Sequence, residues 1–202
     1  MPEANPLLIA GIVGPLLFVV AFLVDGAIRP GYRPTYHLVS ALALGPGGWV
    51  QTVNFVVCGI LVVVAAAGIE EATSSRWLSG MLGAFGLGLV ASGVFAMDPM
   101  RGYPPGTAEG TPDEVSRAHR LHDVAGFAVF GSMPVAAGIA AFTLDSAPWS
   151  VYSGVTALMT AAGFVVFGAA WESDHPLAGL AQRFVIVVGW TWLAALCWHL
   201  AG

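Results

Sequence analysis

Arg117-Ala118-His119-Arg120-Leu121-His122-Asp123 is the densest run of ionisable side chains in this 202-residue chain, and it leads directly into an apolar stretch from Val124 to Leu144. A stretch of about 20 apolar residues is long enough to cross a bilayer as a helix. The charged run therefore reads as the membrane-boundary end of a spanning helix. Upstream, Thr111-Pro112-Asp113-Glu114 has the form of a helix start: a Thr cap, Pro at the first helical position and Glu at the third, able to close a capping box. The helix is thus expected to begin before the membrane. At helical spacing His119, His122 and Asp123 share one face, and Arg117 and Arg120 form a neighbouring stripe.

The same pattern recurs along the chain. Apolar runs of spanning length lie at roughly 7–28, 50–68, 77–97, 122–144, 150–171 and 183–201. The composition is 57% hydrophobic and 9% charged, with a mean hydropathy of +0.79, which excludes an ordinary soluble domain. The expected fold is all-α: one integral membrane domain over 1–202, a six-helix antiparallel bundle. Met1-Pro2-Glu3-Ala4-Asn5-Pro6 carries no Lys or Arg, and Asp25 stands where a cleavage site would need small residues. The first helix is therefore expected to be a retained span rather than a removable signal. Cys58 and Cys197 sit inside apolar runs without CxxC spacing and read as small packing residues.

Between the first two runs, Tyr36 to Leu44 is too short to span and is closed by Gly45-Pro46-Gly47-Gly48, so it reads as a short amphipathic or re-entrant segment. Gly80, Ala84, Gly88 and Ser92 recur every fourth residue in the third run, a stripe that lets a neighbour approach closely. Pro134 predicts a kink in the fourth. Trp49, Trp77, Trp149, Trp171 and Trp198 fall at run ends, as an interfacial aromatic belt would place them.

Six spans with short connections put loops 1, 3 and 5 on one side. That side holds Asp25, Arg29, Arg33, His37, Ser40, Asn54, Asp98, Arg101, His119, His122, Asp123, Glu172, His175 and Arg183. The other has only Glu3, Glu70, Glu71, Arg76, Asp145 and His199. Burying polar groups without partners costs several kcal/mol each, so the odd-loop groups are expected to converge on a hydrated pocket. Six of the seven Lys and Arg residues, all arginines, lie there, which the positive-inside rule translates into a cytoplasmic odd-loop side.

Tyr36-His37-Leu38-Val39-Ser40-Ala41-Leu42 with Gly45-Pro46-Gly47-Gly48-Trp49 and Asn54, Phe95-Ala96-Met97-Asp98-Pro99 with Gly102-Tyr103-Pro104, and Leu121-His122-Asp123 carry a resemblance along nearly the whole chain. On these motifs the sequence resembles the domain-of-unknown-function 998 family of multi-span membrane proteins from bacteria and archaea. That resemblance implies a fold and a prokaryotic cell membrane, and no particular activity. More loosely, the chain is similar to membrane hydrolases related to alkaline ceramidases, which bring a Ser, an Asp and three His to zinc at one membrane face. On that resemblance Ser40, Asp98 and His119, His122 or His175 would serve. The chain departs from the pattern in having six spans rather than seven and no paired His near its last helix.

The candidate catalytic set is Asp98, His119, His122, Asp123, His37 and Ser40. Imidazole binds Zn²⁺ and titrates near neutrality, and a Ser with a His base is a possible nucleophile, although no nucleophile-elbow motif is present. The bland reading of the histidines is a solvated interfacial helix face beside lipid headgroups. Asp98, at the unfavourable C-terminal end of a helix dipole, calls for a partner such as Arg101, Arg117 or Arg120. Candidate substrate-binding residues are Asp25, Arg29, Asn54, Arg101, Arg117, Arg120, Glu172, His175, Arg183 and Trp190, with Asp25 and Arg29 spaced to pair and Asn54 equally suited to a helix–helix hydrogen bond. Zinc is the conceivable metal, but the arginines rank an anionic headgroup ahead of it. Haem is not expected, since no His lies mid-span on two facing helices.

The expected function is a membrane enzyme acting on a lipid or isoprenoid-like substrate. A non-catalytic binder or transporter is the alternative, and a structural or assembly protein the second alternative. The expected partner is a membrane lipid or amphipathic small molecule and not a nucleic acid, with no oligomeric state implied.

Overall fold

The computed structural model describes residues 5–202; Glu3 and the rest of the Met1–Ala4 segment lie outside it. Six helices follow one another: α1 Pro6–Ile28, α2 Trp49–Thr73, α3 Arg76–Val94, α4 Arg117–Thr143, α5 Ala147–Glu172 and α6 Ala178–Ala201. All six are long and apolar enough to cross a membrane, and no strand occurs among the described residues. The protein is an all-α integral membrane bundle. Each helix packs against the next in sequence, and α6 closes the ring against α1. Lipid-facing positions such as Val20, Val124, Phe142 and Leu158 are exposed, as suits a surface solvated by acyl chains.

The centre of the ring is aromatic. The Trp190 indole, 1% exposed, lies 4.5 Å between centroids from Phe85 in an edge-on contact, 5.6 Å from Phe18 and 6.5 Å from Phe130. Such pairs add about 0.5–1.5 kcal/mol beyond the area they bury. Backbones approach most closely where glycines face each other: a Cβ on Gly59 would stand 2.7 Å from the Gly86 carbonyl, and one on Gly86 2.7 Å from the Gly59 carbonyl. The expected α3 stripe is only partly used. Gly88 packs against Ala125 and Val129 of α4, whereas a Cβ at Gly80 would meet nothing within 4 Å. The α2–α3 contact instead runs through Gly86, which is out of step with that stripe. Helix α4 runs unbroken from Arg117 to Thr143 through Pro134.

The two ends of the bundle differ. At the even-loop end, the α2–α3 and α4–α5 connections are only a few residues long, and His199 stacks on Trp149 at 4.4 Å. At the other end, loops 1, 3 and 5 interlock. The segment after α1 forms a 3-10 helix, Val39–Ala43, with Leu42 fully buried and Val39 1% exposed. It is a plug packed on α1, α2 and α6 rather than an amphipathic helix lying on a surface. Its approach to α6 needs Gly179, where a Cβ would stand 2.5 Å from the His37 carbonyl. Loop 3 folds back on itself through Arg101 N–H to Gly110 O (2.8 Å) and Gly102 N–H to Ala108 O (3.0 Å), and lays Pro104 and Pro105 over Gly45 and Gly31 of loop 1.

The start of α4 departs from the sequence expectation. Residues 111–116 are not helical, and the cap is Ser116, whose Oγ accepts from His119 N–H at 3.1 Å. Thr111 is occupied elsewhere, accepting from Arg101 Nε at 3.3 Å. Asp98 accepts the Ser116 N–H at 2.6 Å, so the capping role passes to a pair of residues that meet only in the folded chain.

Candidate functional site

The polar groups at the odd-loop end separate into two neighbourhoods. The first is a structural knot. His37 Nδ1 accepts from Arg33 N–H (2.9 Å), so its proton sits on Nε2, which donates to Arg101 O (3.1 Å) and ties loop 1 to loop 3. Arg183 Nη1 donates to His37 O (3.0 Å) and Gly179 O (2.9 Å), and Nη2 donates to the Tyr32 hydroxyl. Tyr32 in turn donates to Leu38 O (2.9 Å), and burial pushes its phenol up to about 12. Arg101 Nη2 donates to Trp171 O (2.6 Å), its guanidinium stacks 3.4 Å above the Trp171 ring, and Nη1 lies 3.2 Å from Asp174 Oδ1, off the line of a hydrogen bond. Arg29 pairs with Asp25 at 2.6 Å and donates to the Pro46 and Gly47 carbonyls. These guanidiniums donate mainly to backbone carbonyls, those of His37, Pro46 and Gly47 in loop 1 and of Trp171 and Gly179 in α5 and α6.

The second neighbourhood is a pocket. A cavity of about 350 Å³ opens between α4 and α5, lined by Ser40, His119, His122, Asp123, Glu172 and Gln182 on its polar side and by Phe127, Phe130, Phe164, Phe167 and Trp171 on its apolar side. At its inner end lies a chamber of about 30 Å³, whose walls include Ser40, His122, Gly126, Phe130 and Gln182, shared with the pocket, together with Ser92 and Trp190. Those five residues border both cavities.

The imidazoles differ in what they leave free. His119 Nδ1 accepts from Asp98 N–H (2.8 Å), and its Nε2 faces Asp123 Oδ2 at 3.4 Å, so both ring nitrogens are engaged. His122 Nδ1 faces the carbonyls of Phe95 (2.7 Å) and Ser92 (3.2 Å). Two acceptors there put the proton on Nδ1 and leave a bare lone pair on Nε2, with no protein partner among the described residues. A fixed tautomer with one free acceptor nitrogen is what acid–base or hydrogen-bonding work requires. The Trp190 Nε1–H is also buried with no acceptor among the described residues.

Other candidates fall outside the pocket. Asp98 pairs with none of the three arginines named for it; its carboxylate is held below the usual range chiefly by the Ser116 backbone N–H. Arg117 and Arg120 are exposed, and Arg120 turns back to Val115 O (2.7 Å). Asn54 donates to Phe18 O (3.2 Å), a tie between α1 and α2. His175 is exposed and lines a separate apolar groove between α5 and α6, so the Ser, Asp and three-His set of the ceramidase-like enzymes does not assemble. Among the described residues no three His, Cys, Asp or Glu side chains gather as a metal ion would need. Gln182 is not among the candidate residues above, yet its side chain caps the plug, accepting Val39 N–H at 2.8 Å. A polar pair at the head of an apolar run was the available signal. Tyr32, a lone aromatic between Gly31 and Arg33, carried none.

No curated protein and no solved structure matches the chain. The family model described as "Protein of unknown function (DUF998)" matches residues 12–199, nearly the whole chain, and the protein belongs to that family.

Proposed function

We propose that the protein takes an amphipathic molecule from the bilayer into the α4–α5 pocket, its tail along the phenylalanine wall and its polar head at His122. The observation that carries this reading is the junction of a laterally placed aromatic cavity of about 350 Å³ with an imidazole nitrogen that has no protein partner. Pockets of this size with an apolar lining and few polar groups are the usual form of small-molecule sites. Asp123 and Glu172 line the pocket and, among the described residues, no arginine stands in its lining, which disfavours the anionic headgroup that the arginine count suggests. Chemistry on the bound head, with His122 as the base, is the enzymatic form of the same reading. The count of arginines on the odd-loop side supports placing the pocket mouth on the cytoplasmic face.

The test uses Gly126 and Gly168, both in the pocket wall. A Cβ at either meets nothing within 4 Å, so Gly126→Leu and Gly168→Leu fill the cavity without a backbone clash. Mass spectrometry of molecules retained by purified protein is expected to show a species in the wild type that both variants lose. Identical retention in all three removes the proposal.

A further inference from the structure

We infer, on the pocket reading above, that the head taken by the α4–α5 pocket is cationic: a lipophilic ammonium whose charge is held by Asp123 and Glu172 and whose chain follows the phenylalanines inward.

The lining residues are ordered along their helices. Asp123 lies in the second turn of α4 and Glu172 is the last residue of α5, and both line the cavity of about 350 Å³. At about 1.5 Å of rise per residue, Phe127 and Phe130 follow Asp123 by about 6 and 10 Å along α4. By the same measure Phe167 and Phe164 precede Glu172 by about 8 and 12 Å along α5. The carboxylates therefore stand at the odd-loop boundary and the rings deeper in the span, the order in which the head and chain of an amphiphile lie in one leaflet.

The charge of the lining has one sign. Among the described residues it holds two carboxylates and no arginine or lysine. Its histidines do not offset them. His119 Nδ1 accepts the Asp98 N–H, so the ring proton is on Nε2, facing Asp123 Oδ2 at 3.4 Å. A neutral imidazole N–H orients that carboxylate without cancelling its charge. His122, 8% exposed, has its Nδ1 proton against the Phe95 and Ser92 carbonyls, which leaves an unpartnered lone pair on Nε2. Ser40 and Gln182 are uncharged and do not alter the sign. Two arginines near these walls have other partners: Arg101, stacked on Trp171 from outside the lining, lies 3.2 Å from Asp174, and Arg120 donates to Val115 O. Coulomb attraction is non-directional, so a cation needs proximity to the carboxylates and no aligned set of donors. A cleft of one sign with low-dielectric walls focuses its field on the opposite charge. An anionic head is repelled there, and an uncharged one gains no net attraction.

Protein in dodecyl maltoside micelles is titrated with trace radiolabelled dodecyltrimethylammonium, dodecyldimethylamine oxide, dodecyl sulfate and dodecylphosphocholine, each referenced to empty micelles. The amine oxide is uncharged at slightly alkaline pH and close to the ammonium in size. The ammonium is expected to bind ahead of the amine oxide, with the sulfate last. Asp123→Asn and Glu172→Gln, both at exposed positions, should each weaken the ammonium about two- to fivefold, the effect of a solvated ion pair, and leave the amine oxide unchanged. Glu70→Gln combined with Glu71→Gln, an equal charge change at exposed positions of the even-loop end, should alter neither. Raised salt should weaken the ammonium and spare the amine oxide. Dodecylphosphocholine carries the same trimethylammonium beyond a phosphate. Binding equal to that of the ammonium assigns the cation to a phospholipid headgroup, and weaker binding assigns it to a free lipophilic cation. Gly168→Leu should abolish binding of every probe, and Gly126→Leu takes its place if that variant does not fold. Equal binding of ammonium and amine oxide by the wild type, or an ammonium preference that persists when Asp123→Asn and Glu172→Gln are combined, overturns the cationic head; the pocket reading then stands if the glycine variant still abolishes binding. Ammonium binding that survives the glycine variant, or no binding of any probe, overturns both.

Discussion

At the scale of single residues, acid should act on two groups that hold the odd-loop end together. His37 bridges loops 1 and 3 as a neutral ring, and burial is the main cause that lowers its pKa. Asp98 holds the start of α4 as an anion, its pKa lowered chiefly by the Ser116 N–H. Both groups have a folded pKa below the ordinary value, so the unfolded chain binds more protons and stability rises with pH. The His37 contribution is complete above about 6.5 and is lost as pH falls from there, while that of Asp98 is complete above about 3.9 and is lost below. Thermal unfolding in detergent should therefore weaken in two acid steps. His37→Gln should remove the upper step. Asp98→Asn, which keeps an acceptor oxygen for the Ser116 N–H and removes only the charge, should remove the lower one. A stability profile flat from pH 7 to pH 5 in the wild type would contradict the assigned role of His37. The capping arrangement also shows what sequence pattern conceals. Thr111-Pro112-Asp113-Glu114 has the right residues for a helix start, yet Ser116 wins because Asp98, distant in sequence, reaches its N–H.

At the scale of elements, glycine spacing decides how near two helices come, but not which spacing is used. Gly80 and Gly86 lie on the same helix, and only Gly86 meets a backbone, that of Gly59. Gly86→Ala should force α2 and α3 apart and cost about 1–3 kcal/mol, as overpacking does. Gly80→Ala, with open space around it, should be neutral or stabilising by up to about 1 kcal/mol through helix propensity. Comparing the thermal midpoints of the two variants checks this, and equal shifts would remove the α2–α3 contact as the cause. The six spans were legible because an apolar run of fixed length is a local property. The partner of each glycine was not, because it depends on the rotation of two helices about their axes.

At the scale of the whole molecule, the interlocked loops 1, 3 and 5 set one end of the bundle apart from the short turns at the other. Cys58 and Cys197 are buried, so single cysteines introduced at the exposed positions Glu71 and Glu109 can report topology. They are expected to label with a membrane-impermeant maleimide from opposite sides; labelling of both from one side would contradict six alternating spans. Hydrophobic run length, the Gly-Pro-Gly-Gly break after Leu44 and the concentration of polar residues at one set of helix ends are written in the chain order, and they determine a six-span bundle with one polar end. How those polar residues divide was decided by tertiary structure alone. Arg101 and Arg183 go to backbone carbonyls, and His37 to a loop–loop bridge, while His122 lines the pocket. The reason is physical: a buried guanidinium or imidazole takes whichever acceptors the packed backbone leaves open, and those carbonyls come from loops and helix ends, most of them far apart in sequence. Of the two odd-loop imidazoles on α4, His122 keeps a free nitrogen because Phe95 and Ser92 turn their carbonyls to its other one.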